Sequence, residues 1–258
     1  MRYFLPAVLL AMLCGNAGAA LKTEVIEYKH GDTVLEGYLA YDDAIEGKRP
    51  GVLVAHEWWG LTDYERNRAD QLARLGYVAF ALDMYGKGKV TKDPGVAGQW
   101  SGTFRNDRSL GRARAGAGLD VLKNHKRVDA RRIAAIGYCF GGTVVLEMAR
   151  GGADLAGVAS FHGGLDTPEP AKTGAVKAKV LVLAGGDDPF VPPANVTAFE
   201  EEMRKAGADW QIHVYGGAVH SFTNPGVDAY GLKGAAYNER ADRRSWEAMK
   251  VFFAEIFK

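Results

Sequence analysis

Cysteine is nearly absent from this chain: two residues in 258, Cys14 and Cys139. Two cysteines exclude a disulfide-stapled scaffold. A charge excess of either sign is also missing, because 32 lysines and arginines face 31 aspartates and glutamates. That balance leaves no electrostatic footprint for nucleic acid. The one basic cluster, Lys123, Lys126, Arg127, Arg131 and Arg132, reads as a solvated helix end and loop. The chain has no internal repeat and no low-complexity linker. No set of His, Cys, Asp and Glu has the spacing of metal ligands, so no metal is expected. Beyond the first twenty residues, no apolar run is long enough to cross a bilayer.

Those first twenty residues differ from the rest. Arg2 precedes an apolar run over residues 4–13, then Ala17-Gly18-Ala19. A charged start, a short apolar stretch and a small-residue site make a secretory signal peptide over 1–20, cleaved after Ala19 or Ala20. Leu13 is too large to precede a lipoprotein cysteine, so no lipid anchor is expected. The mature protein, residues 21–258, is then periplasmic or secreted, without a membrane anchor. Cys14 leaves with the signal, and Cys139 stands alone where thiols tend to be oxidised.

Cys139 lies in Gly137-Tyr138-Cys139-Phe140-Gly141-Gly142. The apolar run 133–136 before it has strand character, and 143–150 after it reads as a helix. A strand turning sharply into a helix, with glycines around one nucleophilic residue, is the pattern of a nucleophile elbow. A thiol at a helix N-terminus ionises more readily than a free one. The competing explanation is a small buried cysteine between packing glycines.

The remaining elements follow from periodicity and caps. Residues 23–29 and 33–41 alternate around His30-Gly31-Asp32 as an antiparallel hairpin. The runs 52–55, 77–82, 155–161, 179–184 and 210–215 read as strands, the continuous apolar ones suited to burial on both faces. Residues 62–75 form a helix with a Thr62/Glu65 capping box and Gly76 beyond its end. Residues 87–103 read as loop and 106–123 as a helix weakened by glycines. Residues 193–206 form a helix stopped by Gly207, and the stretch from 238 onward is amphipathic, with Trp246, Met249, Phe253 and Ile256 on its apolar face. Strands alternating with helices predict one mostly parallel sheet covered on both faces, in a single α/β domain.

Each notable polar group falls just after a strand: Glu57, Cys139, His162, Asp188 and His220. In open α/β sheets, sites form beyond the carboxyl ends of the strands. A thiol nucleophile needs a base, and the base needs an orienting acid. The order Cys139, Asp188, His220 is that of nucleophile, acid and histidine in α/β-hydrolases. Asp188 is preferred to Asp187 because the prolines that follow start the next helix and leave Asp188 in the turn. His162 is a rival base, weaker because it precedes the acid. The backbone N–H groups of Phe140 and Trp58 are the expected oxyanion donors. Of Trp58 and Trp59, which point different ways, one lines the pocket.

At these motifs the chain resembles the dienelactone hydrolase family. The likeness rests on His56-Glu57-Trp58-Trp59-Gly60, Leu82-Asp83-Met84-Tyr85-Gly86, the elbow, Asp188 with Val191-Pro192, and His220-Ser221-Phe222. It covers nearly all of the mature chain. The resemblance implies an α/β-hydrolase fold, no cofactor, a Cys-His-Asp triad, and a glutamate, matched by Glu57, that holds the resting thiol until substrate displaces it. It also implies two arginines gripping a substrate carboxylate, and here the matching positions hold Lys87 and Asn224. With Trp59, Tyr85 and Phe222 beside them, the expected pocket is more aromatic than anion-selective. Neutral esters or lactones should then match or exceed dienelactone, and Arg105 is the residue able to restore the lost charge. The expected reaction is cleavage of a small ester or lactone through an acyl-enzyme. The alternatives are a broad carboxylesterase or thioesterase, a redox-sensing thiol, and a binding protein on a hydrolase scaffold. Oligomeric state is left open.

Overall fold

Continuous apolar strands need cover on both faces, and helices supply it. In the computed structural model, which describes residues 20–258, the N-terminal hairpin comes first. Strands β1 (Leu21–His30) and β2 (Thr33–Asp42) pair antiparallel from Leu21↔Asp42 to His30↔Thr33. There follow β3 (Arg49–Ala55), α1 (Asp63–Arg74), β4 (Val78–Leu82), α2 (Pro94–Asn106), α3 (Arg108–Lys123), β5 (Val128–Tyr138) and α4 (Phe140–Arg150). The chain closes with β6 (Gly157–Phe161), β7 (Lys179–Gly185), α5 (Pro193–Ala206), β8 (Trp210–Tyr215) and α6 (Glu239–Ile256). Of the expected signal segment, residues 1–19 lie outside the described residues.

The sheet order is β1-β2-β4-β3-β5-β6-β7-β8. Only the pairings made by β2 are antiparallel; from β4 to β8 every neighbour is parallel. Successive side chains of a strand go to opposite faces. Leu53 and Ala55 of β3 therefore join the core under α2–α5, with Phe104, Leu119, Val144, Met148 and Phe199. Val52 and Val54 join the core under α1 and α6, with Leu72, Met249, Phe252 and Phe253. Trp246 and Ile256 of α6 sit at the edge of that second core, partly buried.

The capping box forms as read: Thr62 accepts from the first turn of α1, and the Glu65 side chain returns to the Thr62 N–H. Residues 87–103 are not all loop. Asp93 accepts from the N–H groups of Gly95 and Val96, and Pro94 takes the first helical position, so α2 starts there despite its glycines. Ala97, Ser101 and Phe104 form its buried stripe. The helix expected over 106–123 is the separate α3, capped by Asp107 through its bond from the Leu110 N–H. Thus Asp107 ends one helix and starts the next, and the junction brings Arg105 and Arg108 to the cavity that Cys139 also lines. No helix of the described residues is long and apolar enough to cross a membrane.

Candidate active site

Cys139 joins β5 to α4 with φ 53 and ψ −115. A non-glycine residue in that region is sterically costly, and here the surrounding backbone fixes it. A Cβ on Gly137 would lie 2.0 Å from the Gly141 carbonyl oxygen, and one on Gly141 would lie 2.2 Å from the Ala55 carbonyl oxygen. Only glycines permit so tight a strand-to-helix turn.

Beyond the ends of β5, β7 and β8, three side chains meet. His220 Nε2 is 3.0 Å from Cys139 Sγ, and His220 Nδ1 is 2.8 Å from Asp188 Oδ2. Asp188 also accepts from the Phe190 N–H, which fixes its orientation, whereas Asp187 is exposed. Burial opposes the imidazolium form of His220. The sulfur of Cys139 and the carboxylate of Asp188 outweigh it, and His220 is pushed up to about 10.

The rival histidine does a different job. His162 is fully buried, and its Nδ1 accepts from the Cys139 backbone N–H at 3.1 Å. With Nδ1 accepting, the ring proton is on Nε2 and is donated to Thr223 Oγ1 at 2.7 Å. Burial, then His220 and Arg68, hold His162 well below the usual histidine range. It is a neutral prop behind the elbow.

A cavity of about 330 Å³ opens over the Cys139 sulfur. Trp58, Phe140, Phe190, Val191 and Leu232 form its apolar wall, and Arg105, Arg108, Thr143 and Asp166 its polar side. The N–H of Phe140 and that of Trp58 have no acceptor among the described residues, as expected for the first N–H of a helix and for an open loop. No group of three or more His, Cys, Asp and Glu in position to hold a metal occurs among the described residues.

The sequence profile of the dienelactone hydrolase family matches residues 35–257. The chain belongs to the dienelactone hydrolase family. A solved structure named m3DLH is 43% identical, covers 93% of this chain and all of its own, and superposes with a TM-score of 0.89. A dienelactone hydrolase-like promiscuous phosphotriesterase from metagenomic libraries is 39% identical over 93% of this chain and all of its own, with a TM-score of 0.88. Among curated relatives, a protein of Aquifex aeolicus that carries the name carboxymethylenebutenolidase is 27% identical, covering 91% of this chain and 99% of its own. The eight-stranded, mostly parallel sheet with its N-terminal hairpin is an α/β-hydrolase fold, and the chain is a dienelactone hydrolase-like hydrolase of ester or lactone bonds.

Within this dienelactone hydrolase family member, several expected site residues stand elsewhere. Glu57 is fully buried, but its carboxylate is not on the thiol: Oε1 accepts from Ser221 at 2.9 Å and Oε2 from Asn224 Nδ2 at 2.8 Å. Burial and the nearby Glu65 push Glu57 up to about 7, against the pull of Asn224, Ser221 and His220. Asn224 is thereby committed to Glu57 and does not reach the cavity. Lys87 points the other way, paired with Glu27 at 2.7 Å and Glu36 at 3.6 Å on the hairpin. Of the tryptophan pair, Trp58 lines the cavity, while Trp59 is buried and stacks on Tyr230 with centroids 4.2 Å apart. Phe222 packs edge-on against His162 and beside Tyr215, out of reach of substrate. Tyr85 supports the wall from behind, its hydroxyl donating to the Trp58 carbonyl and its ring stacked on Phe140.

Three residues of the polar side were not anticipated as cavity lining from the sequence: Arg108, Thr143 and Asp166. The signal for Arg108 was Asp93-Pro94, the helix start that puts Asp107 at a helix junction. Asp166 sits in an irregular segment after β6, and no local pattern marks it.

Proposed function

We propose that this hydrolase cleaves small esters or lactones through an acyl-enzyme on Cys139, in the periplasm or outside the cell after removal of residues 1–20. The observation that carries the reading is the continuous chain from Cys139 Sγ through His220 to Asp188, at the floor of a cavity large enough for a small substrate. His220 takes the proton of Cys139 and frees the sulfur as the nucleophile. The sulfur adds to the substrate carbonyl, and the N–H groups of Phe140 and Trp58 receive the developing oxyanion. Collapse of that intermediate breaks the C–O bond, and His220 gives its proton to the departing oxygen. His220 then takes a proton from water as the water adds to the thioester, and a second collapse releases acid and restores the thiol pair. Asp188 keeps the ring oriented and stabilises its cation throughout. Glu57, held by Ser221 and Asn224, is a buried acid near His220 rather than a partner of the sulfur.

The test is turnover of p-nitrophenyl acetate. The wild type should release p-nitrophenol with an initial burst and carry an acetyl group on the Cys139 peptide. Cys139→Ala should do neither while retaining its fold, and Cys139→Ser should keep only weak activity. Wild-type rates in the alanine variant would remove Cys139 from the mechanism. Mass measurement of the protein recovered from fractionated cells tests export: a chain that retains residue 1 and stays in the cytoplasm would reject it.

A further inference from the structure

Cys139 and His220 reach the site on separate turns, and one buried side chain is bonded on both sides of the gap. His162, 1% exposed, meets the backbone of the nucleophile with one ring nitrogen and the loop of the base with the other. On the first side, the Cys139 N–H is shared between His162 Nδ1 at 3.1 Å and the Phe161 carbonyl at 3.0 Å. On the second side, His162 Nε2 lies 2.7 Å from Oγ1 of Thr223, in the loop after β8 that also carries His220. The ring itself packs edge-on against His220, with centroids 5.3 Å apart.

Neither anchor of this ring is loose. The His162 backbone N–H donates to the Leu183 carbonyl of β7 at 2.9 Å. Thr223 is fully buried and tied to α1: its Oγ1 is 2.6 Å from the Tyr64 hydroxyl, and its carbonyl accepts from Arg68 at 2.7 Å. A planar imidazole between two fixed points is a rigid spacer, because its nitrogens stand at a set separation with no rotatable bond between them. Both nitrogens are engaged and Nδ1 accepts, so the neutral ring exchanges no proton with the sulfur. Cys139 needs holding of this kind. Its φ of 53° is costly for a residue with a side chain, and such backbone persists only where its surroundings over-determine it.

We propose that His162 is a positioning residue for the reaction: as a spacer between the Cys139 backbone and the Thr223 loop, it sets the 3.0 Å approach of Cys139 Sγ to His220 Nε2. This rests on the reading of Cys139 as the nucleophile. It adds to the triad a residue that does not line the cavity and so acts on the reacting geometry, not on substrate binding.

The test uses His162→Leu, which removes both bonds, and His162→Asn. An asparagine puts an amide oxygen close to the place of Nδ1 and tolerates positive φ, but falls short of Thr223. Urea midpoints should fall in both, since both lose the Thr223 bond. With p-nitrophenyl acetate, His162→Leu should lose kcat on the order of a hundredfold at a nearly unchanged KM, the cost of about 1 Å of misplacement. His162→Asn should recover on the order of tenfold of that loss. Alkylation of Cys139 by iodoacetamide at pH 7 needs no substrate, and it should slow on the order of tenfold in His162→Leu as the sulfur drifts from its base. A site that is merely loosened would react as fast as the wild type or faster. Wild-type kcat in folded His162→Leu, equal losses in the two variants, or undiminished alkylation would overturn the proposal. Should His162→Leu not fold, Thr223→Val decides: slower alkylation supports the spacer, and a wild-type rate overturns it. Absence of turnover by the wild type itself would defeat the hydrolase reading, and the alkylation rates would still judge the role of His162.

Discussion

Asn224 donates from Nδ2 to Glu57 Oε2 at 2.8 Å, and this bond, with Ser221 on the other oxygen, fixes a buried carboxyl group near the Cys139–His220 pair. The position where the family resemblance placed a substrate-binding arginine is therefore used to hold an internal acid. The thiol is left to His220 alone.

Stability should consequently depend on pH through Glu57. Its pKa is about 7 in the folded protein against an ordinary 4.5. The folded state holds an extra proton between those values, so this carboxyl favours folding most below about pH 4.5, and that advantage is lost as pH rises to 7. The difference amounts to about 3 kcal/mol. Glu57→Gln should remove the slope. In urea titrations the variant should gain on the wild type between pH 5 and pH 8, and parallel curves across that range would refute the assignment.

The two adjacent aspartates should separate cleanly. Asp188 is buried on His220, and Asp187 is exposed. Asp188→Asn should lower kcat/KM for p-nitrophenyl acetate by about a hundredfold or more, by analogy with triad lesions. Asp187→Asn should stay close to wild type. Equal losses would mean that the bond to His220 Nδ1 does not matter to the reaction.

Thr223 links two buried groups, with His162 Nε2 at 2.7 Å and the Tyr64 hydroxyl at 2.6 Å from its Oγ1. Thr223→Val keeps the shape and removes both bonds, leaving the His162 ring proton unpaired. A loss of about 1–3 kcal/mol in unfolding free energy is expected. The readout is a lower urea midpoint at an unchanged m value.

Gly141→Ala tests the elbow directly. The added Cβ meets the Ala55 backbone at 2.2 Å, where no side chain can yield. The cost should exceed the about 1–3 kcal/mol usual for overpacking. A thermal midpoint within a few degrees of wild type would show that the turn is looser than described.

The hairpin, the buried strands and the α1 cap were legible because each rests on a local rule: alternation, continuous apolarity, or Thr62 three residues before Glu65. The meeting of Cys139, His220 and Asp188 was legible because all three follow strands of one parallel sheet. Helix α2 was obscured by its glycines, although Asp93-Pro94 marked its start. The cavity's cations were misplaced for a tertiary reason. Nothing local tells that Lys87 turns to Glu27 and Glu36 on the hairpin while Arg108 turns inward. Trp58 and Trp59 likewise differ only in their partners, and Tyr230, which claims Trp59, is 171 positions away in the chain.

Among the described residues, the non-glycine positions with positive φ are Cys139 at 53°, His162 at 41° and Ser221 at 52°. His162 bonds the Cys139 backbone N–H, and Ser221 bonds Glu57. Strain of this kind costs on the order of 1 kcal/mol or more per residue. Glycine at these positions would return part of that energy but lose the bonds and packing of the side chains, so the strain cannot be relieved without a net loss of stability and of the site itself. Efforts to toughen this protein belong at the hairpin and the far ends of α5 and α6 instead.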